Sequence, residues 1–159
     1  MKHIHLICLG KLKETYWREA AAEYLKRLSP FVKVMIHELK EESFSEKDNP
    51  EIIKEREAKK IEVEIEKISD SYIIALDEHG KQLSSVGFAR QFDQLTNQQI
   101  NQITFILGGP LGLHESIRQR AHLTLSLSPF TFTHQMARVF LLEQLYRAMM
   151  IAHGRSYHY

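Results

Sequence analysis

The sequence predicts an α/β domain in which a mostly parallel sheet is flanked by helices. Five short apolar runs have the length and composition of strands, and segments with helical spacing lie between most of them. Strands that alternate with helices favour parallel pairing, because each crossover returns the chain to the same edge of the sheet. The length of 159 residues and the hydrophobic fraction of 43% suit a single domain with a sizeable core, over residues 1–159.

The strand signals are short runs of β-branched and other apolar residues. They fall at residues 3–9, 31–39, 71–76, 102–107 and 122–127. The only cysteine, Cys8, lies in the first run and is expected to be a small buried apolar residue. His3 and His5 share one face of that run, but no carboxylate or cysteine pattern accompanies them, so we expect no metal site. The longest break between elements is an acidic loop at residues 40–49.

The predicted helices carry recognisable start and stop signals. A first helical run ends before Pro30, because proline cannot continue a helix. Asn49 and Pro50 open a second, highly charged helix, since asparagine caps helix N-termini and proline fits the first turn. Either Ser84 or Ser85 is the expected N-cap of a third helix. The apolar stripe of that helix consists of Phe88, Phe92 and Leu95.

The last helix, predicted over residues 134–153, is apolar around its whole circumference. At about 100° per residue, its apolar side chains spread to every side instead of forming one stripe. One sheet covers one face, and the remainder would form an apolar patch that a second copy of the chain can bury. We therefore expect a homodimer. The alternative is that the rest of the same chain covers the helix.

The net charge of +1 hides an uneven distribution. Residues 38–70 carry an excess of acidic side chains, whereas the remainder carries an excess of basic ones. This split is compatible with a basic face toward RNA, but ordinary solvated helices produce it too. No apolar run reaches the roughly 18 residues of a membrane helix, and a strand pattern begins without a preceding signal peptide. We therefore expect a cytoplasmic protein that does not enter membranes.

Two strands end in loops that contain glycine or proline. Open α/β sheets hold ligands in such loops, at the carboxyl ends of their strands. The fourth run continues into GGPLGL at residues 108–113, and the fifth into SPFTFTHQ at residues 128–135. The glycine spacing is neither the dinucleotide pattern nor a phosphate-binding loop that ends in G-K-[ST]. By itself it indicates either a tight turn or a point where a ligand approaches the backbone closely.

These strings resemble the RlmH (YbeA-like) branch of the SPOUT methyltransferases. The resemblance rests on GGPLGL at 108–113, SLSPFTFTHQ at 126–135, EQLYRA at 143–148 and GRSYHY at 154–159. ICLGKLK at 7–13 and ALDEHGK at 75–81 extend it to nearly the whole chain. The chain departs from the family at Thr133, which replaces a proline, and in the tail at Arg155, Ser156 and Tyr159.

The resemblance implies a SPOUT α/β-knot fold, in which the C-terminal segment forms a trefoil knot. It implies S-adenosylmethionine as cofactor and a homodimer whose partner subunit helps to complete the active site. The implied reaction is methylation of N3 of a pseudouridine in helix 69 of 23S rRNA, on the assembled ribosome. Two alternatives are a SPOUT methyltransferase that acts on another RNA, such as a tRNA, and a non-catalytic ribosome-binding module.

The resemblance also implies where the cofactor binds. Leu76, Leu127 and Phe132 would wall the adenine ring, and the missing side chain of Gly108 would leave room for ligand atoms. Thr133 in place of proline remains a competent N-cap for the last helix. The matching cofactor-binding residues are Leu76, Gly108, Leu127, Ser128, Pro129, Phe130, Thr131 and Phe132.

The expected catalytic residues are Tyr157, His158 and Arg138. The accepting imide N–H must lose its proton, and histidine titrates near neutral pH, so His158 suits that step. Tyr157 suits a hydrogen bond to the target base or stacking on it. Arg138 closely follows the ligand loop and is our choice for a contact with RNA or substrate. Arg147 lies four residues after Glu143, which indicates a structural ion pair.

Overall fold

In the computed structural model, which describes residues 2–154, five parallel strands form one sheet in the order β2-β1-β4-β3-β5. Helices cover both faces of the sheet, which confirms the predicted α/β class. The trefoil knot stays a prediction. The elements in chain order are β1 (Lys2–Leu9), α1 (Thr15–Leu28), β2 (Val32–Leu39), α2 (Pro50–Glu66), β3 (Ser71–Gln82), α3 (Ser85–Asn97), β4 (Gln102–Leu107), α4 (Glu115–Arg120), β5 (Leu123–Ser126) and α5 (His134–Ala152).

The sheet separates two apolar layers. Alternate residues of β1 point to opposite faces, so that Leu6 and Cys8 pack under α1, α3 and α5, whereas Ile7 and Leu9 pack under α2 and α4. Burial raises the pKa of the Cys8 thiol to about 11, in agreement with its predicted place in the core. The central strands β1 and β4 therefore have almost no solvent-exposed surface.

Local signals account for the starts of three helices. The side chains of Asn49, Ser84 and Thr133 each accept a hydrogen bond from a backbone N–H two or three residues ahead, at 3.0, 3.1 and 3.3 Å. Ser84, and not Ser85, is thus the N-cap of α3. Thr133 caps α5 as predicted, so the replacement of proline leaves the start of that helix satisfied.

Two features of the fold differ from the predictions. The third strand does not end at Leu76, because Leu76 and Lys81 both pair with Leu125 of β5, and the four residues between them bulge out as a loop. Gly80 permits this bulge, since a Cβ atom there would lie 2.8 Å from the backbone of β5. The short helix α4 has no counterpart among the predicted elements, because Ile117 is its only apolar residue.

Helix α5 lies on the sheet between α1 and α3. These neighbours bury residues on several sides of it, including Leu141, Leu145 and Met150, and leave Phe140 37% exposed. The chain itself therefore covers most of the apolar circumference, which is the alternative stated above. The homodimer consequently loses its support from helix periodicity and rests on the resemblance. None of the helices within residues 2–154 is long and apolar enough to cross a membrane.

Candidate functional site

A cavity of about 770 Å³ opens where β3, β4 and β5 reach the carboxyl edge of the sheet. We call it the carboxyl-edge cavity. Its lining comes from the β3 loop (residues 77–80), the glycine loop (residues 108–113), the β5 loop (residues 127–133) and the first turn of α5. Parallel sheets place ligands at this edge, because the loops leaving neighbouring strands converge there.

Seven of the eight predicted cofactor-binding residues line the carboxyl-edge cavity. The eighth, Pro129, is exposed in the β5 loop and does not line it. The structure thus brings together residues that are far apart in the chain, on three different strand ends. The lining residues from the predicted set are Leu76, Gly108, Leu127, Ser128, Phe130, Thr131 and Phe132.

Leu76, Leu127 and Phe132 contribute the apolar side of the cavity. The ring of Phe132 packs edge-on against Phe140, with the ring centroids 5.1 Å apart, and this contact holds the ring in place. Phe130 stands at the rim and is 79% exposed. An apolar wall with a fixed aromatic ring suits a flat heterocycle.

The β3 loop contributes a polar side that the predicted site did not include. Asp77 accepts hydrogen bonds from the backbone N–H of His79 at 2.9 Å and from Arg118 Nη1 at 3.1 Å. Burial by itself would raise the pKa of Asp77, but these hydrogen bonds outweigh it and lower the pKa below its usual value. Thr131 Oγ1 donates to Glu78 Oε2 at 2.6 Å and so joins the β5 loop to the β3 loop.

Gly108 lines the cavity, and its own loop packs closely around it. A Cβ atom there would lie 3.0 Å from the carbonyl carbon of Gly112 and 3.1 Å from Cγ of Leu113. Packing within its own loop therefore also favours glycine at this position, and the expectation that Gly108 makes room for ligand atoms stays a prediction. Gly112 has a φ of 79° with open space around it, so its backbone conformation explains the glycine there.

Arg138 is buried, which contradicts the predicted contact with RNA or substrate. The residue is 1% exposed. Its Nη1 atom donates to Glu38 Oε1 at 2.6 Å, and Nη2 donates to the carbonyl oxygen of Gly10 at 2.8 Å. Arg138 therefore ties α5 to the end of β2 and to the turn after β1. Arg138 lies on a buried side of α5 with Leu141, Leu142 and Leu145. The sequence did not reveal this, because the apolar residues of the helix spread around its whole circumference.

The first turn of α5 connects the carboxyl-edge cavity to the turn after β1. Gln135 lines the cavity, and its Oε1 atom accepts a hydrogen bond from the backbone N–H of Lys13 at 2.7 Å. His134 lines the cavity too, and its Nε2 atom is buried without a hydrogen-bond partner among residues 2–154. Burial lowers the pKa of His134, so its imidazole is neutral near pH 7.

Tyr157 and His158, the two tail residues of the predicted site, lie outside the described residues. The geometry of the described residues therefore concerns ligand binding and not the proton-accepting step. His5, one of the two histidines considered as metal ligands, bonds to His37 Nε2 at 3.0 Å and to Gln102 Oε1 at 3.1 Å. In residues 2–154 no three His, Cys, Asp or Glu side chains are grouped so as to hold a metal ion.

Compared with models of known protein families, the chain matches over residues 1–158 the model described as predicted SPOUT methyltransferase. The match spans the whole described fold. It includes the three loops of the carboxyl-edge cavity and also the two tail residues, Tyr157 and His158.

The buried position of Arg138 predicts a large loss of stability when its guanidinium is removed. Arg138→Met should lower the free energy of unfolding by about 2–4 kcal/mol, because the Gly10 carbonyl and Glu38 lose a buried donor. Urea denaturation measures this change. Arg120→Met is the matched control, since Arg120 is 40% exposed and 4.0 Å from Glu66, and it should cost at most about 0.5 kcal/mol. Equal, small losses for both variants would contradict the bracing role of Arg138.

Proposed function

The chain belongs to the SPOUT methyltransferase family, and from this premise we propose that it methylates N3 of a pseudouridine in helix 69 of 23S rRNA. The family match over residues 1–158 supports methyltransferase activity in general. The specific substrate, on the assembled ribosome, is supported by the loop and tail strings that resemble the RlmH branch. S-adenosylmethionine is the proposed methyl donor.

The lining of the carboxyl-edge cavity fits this donor. S-adenosylmethionine joins a flat adenine ring, a ribose and an amino-acid tail that carries a sulfonium. Leu76, Leu127 and Phe132 suit the faces of the ring, and the backbone groups of the glycine loop and the β5 loop suit its polar edge. A volume of about 770 Å³ lies within the range of ligand pockets. The proposed binding residues are the predicted eight: Leu76, Gly108, Leu127, Ser128, Pro129, Phe130, Thr131 and Phe132.

The reaction assigns two tasks to residues of this chain. Methyl transfer from sulfur is an in-line displacement, so the loops must hold the donor with its methyl group facing the acceptor nitrogen. The imide N–H of the target base must also lose its proton, and His158 is the proposed acceptor of that proton. Tyr157 is proposed to orient the base by a hydrogen bond or by stacking. The bound cofactor supplies the electrophilic methyl group.

Phe132 provides a direct test of donor binding in the carboxyl-edge cavity. Phe132→Ala should raise the Kd for S-adenosylmethionine by about tenfold, because the adenine ring loses its aromatic wall. Isothermal titration calorimetry measures this change. Phe140→Ala loosens the Phe132 ring but leaves it in the cavity lining, so this variant should raise the Kd less than Phe132→Ala does, by about twofold. Identical losses in the two variants would point to loop stability and against adenine contact.

The reaction itself is tested with ribosomes that lack the modification. The wild-type protein should transfer a methyl group to the pseudouridine of these ribosomes, and mapping of the modified bases identifies the methylated position. His158→Ala should lower turnover by about a hundredfold or more while donor affinity stays within a few-fold. If His158→Ala turns over nearly as fast as the wild-type protein, His158 is excluded as the proton acceptor.

Other outcomes of that assay separate the two alternatives. Methylation of tRNA but not of ribosomes would indicate a SPOUT methyltransferase with another substrate. Donor binding without transfer to any RNA would favour a non-catalytic ribosome-binding module. The altered tail, in which Arg155, Ser156 and Tyr159 differ from the family pattern, is the observation that favours this module.

We further propose that the active form is a cytoplasmic homodimer, as the resemblance implies. A chain with a net charge of +1 has little attraction for RNA by itself, and two subunits present two sets of basic side chains together. Light scattering at micromolar concentration should therefore report twice the chain mass of 18.6 kDa. A monomer that retains full methyltransferase activity would contradict the dimer.

A further inference from the structure

Glu57 is a buried carboxylate that lies behind the glycine loop of the carboxyl-edge cavity. The residue is on α2 and is 3% exposed, and no other acidic residue within residues 2–154 is buried. Both of its carboxylate oxygens lie 3.7 Å from the position that a Cβ atom of Gly109 would occupy. Gly109 lines the cavity, so Glu57 lies behind a residue of the cavity wall.

Glu57 forms no direct ion pair with any residue in 2–154, although the charge of Lys60 acts on it from one turn away. Within residues 2–154 its one hydrogen bond comes from the backbone N–H of Glu42, which donates to Oε1 at 3.0 Å. The lysines one turn away on α2 bind elsewhere, because Lys54 pairs with Glu51 and Lys60 pairs with Glu42. A buried carboxylate without a direct ion pair is costly. A cationic ligand on the far side of the loop would offset this cost.

Resting on the proposed function above, we propose that Glu57 is a positioning residue that selects the cationic methyl donor over the neutral product. S-adenosylmethionine has a positively charged sulfur, whereas the sulfur of S-adenosylhomocysteine is an uncharged thioether. The two ligands are otherwise the same apart from the methyl group. A carboxylate held behind the glycine loop, away from solvent, attracts the first ligand and lacks this attraction for the second. Glu57 thereby favours donor binding and product release.

Anchoring of the acidic loop is the competing role for Glu57, because its Oε1 atom holds the backbone of Glu42. Glu57→Gln separates charge from anchoring. Glutamine has nearly the same volume and keeps an oxygen acceptor at Oε1, so the hydrogen bond from Glu42 survives while the charge is lost. Glu55→Gln is the matched control, since Glu55 lies on the exposed side of the same helix and pairs only with Lys59, at 3.1 Å.

Calorimetric titration of both ligands at pH 8 measures the selectivity. Glu57→Gln should raise the Kd for S-adenosylmethionine by roughly tenfold and leave the Kd for S-adenosylhomocysteine within about twofold. Glu55→Gln should change neither Kd by more than about twofold, because solvent and salt screen its charge. Equal losses for the two ligands in Glu57→Gln would assign Glu57 to anchoring, and unchanged affinities would leave it without a role. Either result overturns the inference.

If Glu57→Gln fails to fold, the pH dependence of the two affinities, measured on the wild-type chain, is an independent test. Burial raises the pKa of Glu57, against the opposing effects of the Glu42 hydrogen bond and the charge of Lys60, while the charges of Glu41 and Glu42 add to the rise. Attraction requires the ionised carboxylate. The preference for S-adenosylmethionine should therefore fall as the pH decreases through the pKa of Glu57, which lies above the usual value for glutamate. A preference that is unchanged at a pH below that usual value would overturn the inference.

The same titrations distinguish failure of this inference from failure of the proposed function. If the unmodified chain binds neither ligand, the proposed methyltransferase function is overturned and the role of Glu57 with it. If the chain binds both ligands and Glu57→Gln leaves their ratio unchanged, only the role of Glu57 is overturned.

Discussion

Because helices cover both faces of the parallel sheet, its central strands have no surface on which a ligand can rest. Successive side chains of β1 serve two separate apolar layers, and β4 is buried along almost its whole length. Polar chemistry is thereby restricted to the ends of the strands. The carboxyl edge, where three loops converge on a cavity of about 770 Å³, follows from this restriction as much as from the residues in the loops.

Two buried charges stabilise the elements around that edge from behind. Arg138 joins α5 to the turn after β1 and to β2, through Gly10 and Glu38. Glu57 holds the acidic loop from α2 and lies against the backbone of Gly109. A buried charge is costly unless it is hydrogen-bonded. Each of these side chains therefore takes its position only when its hydrogen-bond partners are also in position. The site therefore depends on contacts between elements that are distant in the chain.

That dependence explains which parts of the molecule could be predicted from its sequence. The caps at Asn49 and Thr133 are local signals, and both were predicted correctly. The alternation of strands with helices is also local and predicts the α/β class. Arg138, in contrast, looks like any arginine near a ligand loop until its partners are known, which are Gly10 in the turn after β1 and Glu38 on β2. The burial of Glu57 could not be predicted, because Glu57 lies in a helix with many exposed acidic residues. The packing of Leu113 against Gly108 depends on the fold of the glycine loop and was not evident from the sequence either.

The charged groups around the carboxyl-edge cavity bear on how this chain attracts RNA. Asp77 bonds to Arg118, and Lys54 pairs with Glu51, so much of the charge in and beside the lining is neutralised within the subunit. Attraction to a polyanion depends on cations that exchange their counter-ions for phosphates. When the charges of a cavity wall neutralise one another, the wall is better suited to binding a small ligand than to binding a nucleic-acid phosphate backbone. The basic side chains that would hold the proposed RNA substrate are therefore expected outside this wall, which gives the proposed dimer an electrostatic reason that does not depend on covering α5.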